Sequence, residues 1–289
     1  MTIRPPAAAR RSAAAVLAVL AVAVVGLLAP GPAQARPPRV DLVNLGDSFS
    51  AAVGTGGVAP VPPLGCVQGQ GPDHVSRLDA RRQVVLLLDA ACSGATTADV
   101  RAVVALPQVA AALAEAELVT MTLGGNDVGW TQYLRACSPA GEVVAPGACD
   151  ALLAQADARI AAAAASARLT LAAVDAATQA QVVVLGYPHL VEDTVSTPLL
   201  TAARAGQLNA LTDRLDDALR GAALAEGARF ADVRSRFDGH GVGSPDPWIV
   251  FDPAAPTQPD SLHPTSTGYL QGYYPALLAA VPLGRLGRD

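Results

Sequence analysis

The chain has 289 residues, 51% of them hydrophobic, 16% charged and 4% aromatic, with a formal charge of −5. That length makes one large domain or two small ones, with ample material for a core. All 20 basic residues are Arg, which excludes P-loop ATPase chemistry, Schiff-base catalysis and a Lys base; an acidic balance without basic clusters excludes nucleic acid as the natural partner.

The first segment carries Arg4, Arg10 and Arg11, then an apolar run from Ser12 to Leu28, then Ala33-Gln34-Ala35. A positive head, an apolar middle and a small-x-small site predict a secretory signal peptide over residues 1–35, cleaved after Ala35. A membrane anchor is the alternative, but the run is mostly Ala and Val and the cleavage site follows at once. The Arg10-Arg11 pair leaves the export route open between the general and twin-arginine systems. Residues 36–289 are then one exported, extracellular domain. Loss of the three leader Arg takes its charge to −8.

Strands are predicted at Val40–Leu45, Val84–Leu88, Leu118–Leu123, Val182–Leu185 and Arg229–Val233, each a short apolar run of the buried-strand kind. Between them, apolar residues step by three or four from Leu153 to Val174, behind Asp150 as a capping candidate, and again from Leu208 to Ala222. A last helix is expected to start at Pro264 and run toward Leu278. Strands alternating with helices imply an α/β fold, a three-layer α/β/α sandwich on a parallel sheet. Sites in such sheets lie beyond the strands' carboxyl ends. The stretch from Arg234 to His263, rich in Pro, Gly and Asp, is long enough to be functional or mobile.

Export gives the four cysteines meaning. Cys137 and Cys149 bracket a short loop, and Cys66 and Cys92, each expected in a loop, pair by elimination. A zinc site is disfavoured, since no C-x-x-C or nearby His accompanies them.

Three strand ends offer chemistry. The first ends in Gly46-Asp47-Ser48-Phe49, which exposes a hydroxyl and an amide N–H at the sheet edge, although a cap for the next helix reads the same way. The second ends in Ala91-Cys92-Ser93-Gly94, whose Gly94 N–H is a further donor. The third ends in Gly124-Gly125-Asn126-Asp127, where the Asn126 amide suits an oxyanion. Each alone is a turn; together they put a nucleophile and three donors on one rim. A base is supplied by His263 in Asp260-Ser261-Leu262-His263-Pro264, with Asp260 placed to fold back on the imidazole. His189 is expected to be structural. His240, among Asp238, Asp246 and Asp252, matches no standard metal motif, and His74 reads as a helix-start or surface residue.

These ordered blocks, G-D-S-F at Ser48, the glycine Gly94, G-G-N-D at Asn126 and D-x-x-H at His263, resemble the SGNH (GDSL-type) hydrolases, most closely the secreted actinobacterial esterases and lipases. The resemblance runs from residue 41 to about residue 275. It implies a flavodoxin-like sheet of five parallel strands in the order 2-1-3-4-5 and a serine ester hydrolase that forms an acyl-enzyme on Ser48. His263 would be the acid/base and Asp260 its orienting acid, a part that a main-chain carbonyl takes in some relatives. The Ser48 and Gly94 amides with the Asn126 side chain would form the oxyanion hole. No cofactor or metal is implied; the partner is a small-molecule or lipid ester, met by a monomer in transient contact with lipid surfaces.

Rival readings are weaker. The G-x-S-x-G elbow of α/β-hydrolases is absent, and Gly54-Thr55-Gly56 lies too far past its strand for a dinucleotide site. A non-catalytic binding module for acylated glycan or lipid, or a polysaccharide O-deacetylase, would share the fold. Leu64, Trp130, Tyr133, Tyr187 and Trp248 are candidates for an acyl groove.

Overall fold

Val40–Gly46 (β1) is apolar on both faces because it lies inside the sheet, with Leu42, Val43 and Leu45 shut off from water. In the computed structural model, which describes residues 1–2 and 39–286, the chain divides into Met1–Pro37 and Pro38–Asp289, and every element below belongs to the second unit. The predicted signal peptide lies outside the described residues.

Strands Val84–Asp89 (β4) and Leu118–Thr122 (β5) flank β1; Gln181–Leu185 (β6) and Arg229–Ala231 (β7) extend the sheet in the order β4-β1-β5-β6-β7, all parallel. Counted along the sheet's own strands this is 2-1-3-4-5. Helices Ala156–Asp175 and Ala202–Ala225 pack against each other, and Ala222 and Val174 are among the residues they bury. The first begins at Ala156 rather than at Asp150, which instead sits inside the short helix Ala148–Leu153. Thr201, whose side chain accepts from the Arg204 N–H, caps the second.

Two features depart from the sequence reading, a hairpin after β1 and the form of the last helical segment. A two-stranded antiparallel hairpin, Val58–Val61 (β2) with Cys66–Gly69 (β3), follows β1, so Cys66 opens a strand and is not in a loop. Between β4 and β5 the expected helical connection is made of two helices, Thr97–Val104 and Pro107–Glu115, neither of which has its bounds drawn from the sequence. Pro264 pairs with Ile249 in an isolated bridge; the helical turn after it includes a π turn over Gly268–Tyr273 before Tyr274–Ala280. Cys66–Cys92 and Cys137–Cys149 are bonded as the spacing predicts.

Candidate active site

Beyond Gly46 the chain turns sharply, and Asp47 is the anchor of that turn. Its carboxylate accepts from the Phe49 N–H at 3.0 Å, the Thr122 hydroxyl at 2.6 Å and the Tyr187 hydroxyl at 2.5 Å. Burial pushes its pKa up, against those donors. The turn presents Ser48, only 8% exposed, to a cavity.

His263 comes to Ser48 from 215 residues away. Its Nε2 lies 2.8 Å from the Ser48 Oγ. Two local devices bring it there. Gly54, just past the Ser48 turn, lies so close to the Pro264 carbonyl that a Cβ would sit 2.3 Å from that oxygen. Leu262 takes the left-handed conformation, φ 62°, which curls the Ser261 carbonyl under the imidazole, 3.0 Å from Nδ1.

That contact corrects the expectation for Asp260. Its carboxylate makes no hydrogen bond to the ring; the residue meets His263 through its main-chain oxygen, which accepts from the His263 N–H at 3.3 Å. The turn at Leu262 places Ser261, and not the side chain three residues back, beneath the imidazole. A carbonyl only accepts, so Nδ1 carries the proton and the Nε2 lone pair faces the Ser48 hydroxyl. Burial among Phe49 and its neighbours holds the imidazole pKa down, to about 4, against the small opposing pull of the Ser261 carbonyl and Asp260.

The donors converge on the same space. Ser48, Gly94 and Asn126 all line the cavity, and among the described residues neither the Ser48 nor the Gly94 amide N–H donates to protein. Gly94 has φ +81°, the left-handed conformation that a glycine adopts without strain. Asn126 Nδ2 donates to the Ala95 carbonyl at 2.9 Å, which fixes the amide and leaves its second N–H. Asp127 clamps the start of helix Thr97–Val104, accepting from the Thr97 N–H and hydroxyl at 2.9 and 2.6 Å. The Cys66–Cys92 bond ties the hairpin to the Gly94 turn.

The cavity has a volume of about 580 Å³ and mostly apolar walls: Trp130, Leu134, Leu190, Leu199, Leu215 and Phe251. Trp130 and Tyr187 meet the sequence expectation; Leu64, Tyr133 and Trp248 are not among the lining residues. Tyr133 is fully buried with its hydroxyl on the Leu152 carbonyl, and Trp248 stacks on His240 at 3.6 Å. The Tyr187 hydroxyl also accepts from the Gly125 N–H at 3.1 Å, a bracing role between Asp47 and the third strand end that its apolar context hid.

The other histidines lie elsewhere. His189 Nε2 is 3.0 Å from Asp213, and His240 Nδ1 is 2.8 Å from the Asp246 carbonyl. Among the described residues no group of three or more His, Cys, Asp or Glu is placed to hold a metal ion. His74 is at a helix start as expected, but not on the surface. It is fully buried and stacks on Tyr269 at 5.4 Å.

A model of the GDSL-like Lipase/Acylhydrolase family matches residues 45–270. A lipase of Streptomyces rimosus is 32% identical over 283 residues, 93% of this chain and 98% of that protein. The crystal structure of an extracellular lipase from Streptomyces rimosus superposes with a TM-score of 0.71 at 30% identity, covering 84% of this chain and all of that one. A phospholipase A1 from Streptomyces albidoflavus gives the same TM-score and coverage at 28% identity.

Proposed function

The chain belongs to the GDSL-like lipase/acylhydrolase family and is a carboxylic ester hydrolase, and from that premise we propose that it cleaves lipid-derived esters through an acyl-enzyme on Ser48. The observation that carries this reading is the 2.8 Å contact between Ser48 Oγ and His263 Nε2 at the floor of an apolar cavity.

In this mechanism Nε2 takes the Ser48 proton as Oγ attacks the ester carbonyl carbon. Negative charge moves onto the carbonyl oxygen, where the Ser48 and Gly94 N–H groups and the second Asn126 N–H receive it. The imidazolium returns its proton to the leaving alcohol. Water, deprotonated by the same Nε2, then attacks the acyl-Ser48, and the acid leaves with Oγ reprotonated. The Ser261 carbonyl keeps the ring in its reactive tautomer throughout.

The cavity walls favour a long apolar acyl chain over acetate, since every methylene taken from water adds about 0.8 kcal/mol. The names of the Streptomyces lipases and phospholipase A1 support the same substrate class. Contact with a lipid surface has a basis as well. Val143 and Val144, 81% and 84% exposed, lie at the end of the short helix Pro139–Val144, and Ser138 and Ala140 beside them line the cavity. We further propose that residues 1–35 direct export, which leaves the catalytic domain extracellular from Arg36. The Streptomyces rimosus structure, described as an extracellular lipase, supports that reading.

Hydrolysis of p-nitrophenyl acetate, hexanoate and decanoate by wild type and Ser48→Ala tests the reading. Rates should rise with chain length in the wild type and vanish in the variant. A preference for acetate, or turnover retained in Ser48→Ala, would overturn it.

A further inference from the structure

The helix Trp130–Cys137 forms one wall of the cavity through Trp130, Thr131, Leu134 and Arg135, the i, i+1, i+4, i+5 face of two turns. Trp130 and Leu134 present apolar surface. Arg135 differs: it is exposed, and among the described residues it is the only guanidinium lining the cavity. Among the described residues its side chain has no hydrogen-bond or ion-pair partner. The carboxylates on the two following helices are already taken, because Arg204 binds Glu142 and Asp150, each at 2.6 Å. The lining's one carboxylate, Asp47, is buried and held by three donors. An unneutralised, exposed cation thus lines the cavity of an acidic protein.

Its position along the wall gives that charge a use. The helix begins four residues after Asn126, and the five residues from Trp130 to Arg135 rise about 7.5 Å along its axis, which separates Arg135 from the end of the helix nearest Asn126 in the chain. The Cys137–Cys149 bond anchors the helix two residues beyond Arg135. When the acyl chain of an ester held at Ser48 takes the apolar walls, the alcohol portion is the part left toward solvent, where the exposed Arg135 can meet it. A planar guanidinium there matches a phosphate bidentately, a pairing stronger than a neutral hydrogen bond.

We propose that Arg135 is a specificity-determining residue that favours esters whose alcohol portion carries a phosphate, glycerophospholipids above neutral acylglycerols. The proposal rests on the reading of Ser48 as nucleophile. An anionic lipid surface offers the same chemistry as a substrate's own phosphate, so the test uses substrates dispersed as monomers.

The experiment compares kcat/KM for dihexanoyl phosphatidylglycerol and dihexanoylglycerol, both below their aggregation concentrations, in the full domain. The wild type should favour the phosphate-bearing ester, and Arg135→Gln should lower that ratio about tenfold. Arg135→Lys should restore part of it, and added salt should narrow the ratio in the wild type but not in Arg135→Gln. An unchanged ratio in Arg135→Gln would overturn the proposal. So would a ratio that changes only when the lipids are presented as vesicles, because Arg135 would then act on the surface. Failure of the underlying reading shows separately, as turnover of either ester surviving in Ser48→Ala.

Discussion

Leu262, at φ 62°, lets the residue before it reach back to the imidazole, and the consequence is that the His263 Nδ1 faces a dipole rather than a full charge. Asp260→Asn should therefore keep kcat within a few-fold of wild type, since neither side chain bonds the ring. A fall by orders of magnitude, as triads show on losing their acid, would mean the carboxylate matters after all. The same environment sets the pH dependence. In the proposed mechanism the neutral imidazole is the base, and burial lowers its pKa to about 4, so kcat/KM should hold down through pH 6 and fall only as pH drops through about 4. An acid limb near 6.5 would contradict that account. The sequence brings forward Ser48, Gly94, Asn126 and His263, all of which line one cavity, because each stands just past a strand or just before the last helical segment within a spaced block. The histidine's partner was not legible there. Every residue has a carbonyl, so side-chain types point to Asp260, and only the turn geometry selects Ser261.

At the scale of elements, the two disulfides hold different parts of the cavity. Cys66–Cys92 closes 26 residues of chain and secures the turn bearing Gly94; Cys137–Cys149 closes 12 and secures the wall helix with Trp130 and Leu134. Loop size gives about 3.5 and about 3 kcal/mol of stabilisation respectively. Replacing Cys66 and Cys92 by Ser should lower stability by about that amount and reduce kcat, as the Gly94 donor loses its anchor. Replacing Cys137 and Cys149 should weaken long-chain substrates more than acetate. Denaturant unfolding and the chain-length series read both, and equal kinetic effects from the two pairs would contradict the division. The sheet strands were legible because continuous apolar runs bounded by turn residues suit a strand covered on both faces. The hairpin was not, since Val58-Ala59-Pro60-Val61 and Cys66-Val67-Gln68-Gly69 are half-exposed and lack that run.

For the whole molecule, buried titratable groups set how folding depends on pH. His74 is fully buried between Tyr269 and Tyr273, and among the described residues neither ring nitrogen has a hydrogen-bond partner. Burial lowers its pKa from 6.5 to about 4. The unfolded chain binds the proton more tightly, so this neutral His supports folding above pH 6.5 and loses its contribution as pH falls toward 4, about 3 kcal/mol in all. Asp89 acts in the opposite sense: burial raises its pKa to about 7, and its contribution is lost as pH rises through that value. His74→Phe, which cannot protonate, should lose less stability than the wild type between pH 7 and pH 4.5 in denaturant unfolding. Equal losses would show that His74 is not a source of acid sensitivity. The strand order and the sandwich were legible from alternating elements and the resemblance together; the burial of His74 was not, because helix-start position says nothing of what covers it.

The proposed catalysis is covalent, through Ser48. Four serines line the cavity, namely Ser48, Ser93, Ser138 and Ser261, and among the described residues only Ser48 has its Oγ on the imidazole Nε2. A long-chain alkyl phosphonate ester, followed by digestion and peptide mass mapping, distinguishes them. The account predicts stoichiometric modification of Ser48 and none in His263→Ala. Modification of Ser93 or Ser261, or undiminished labelling without His263, would contradict it.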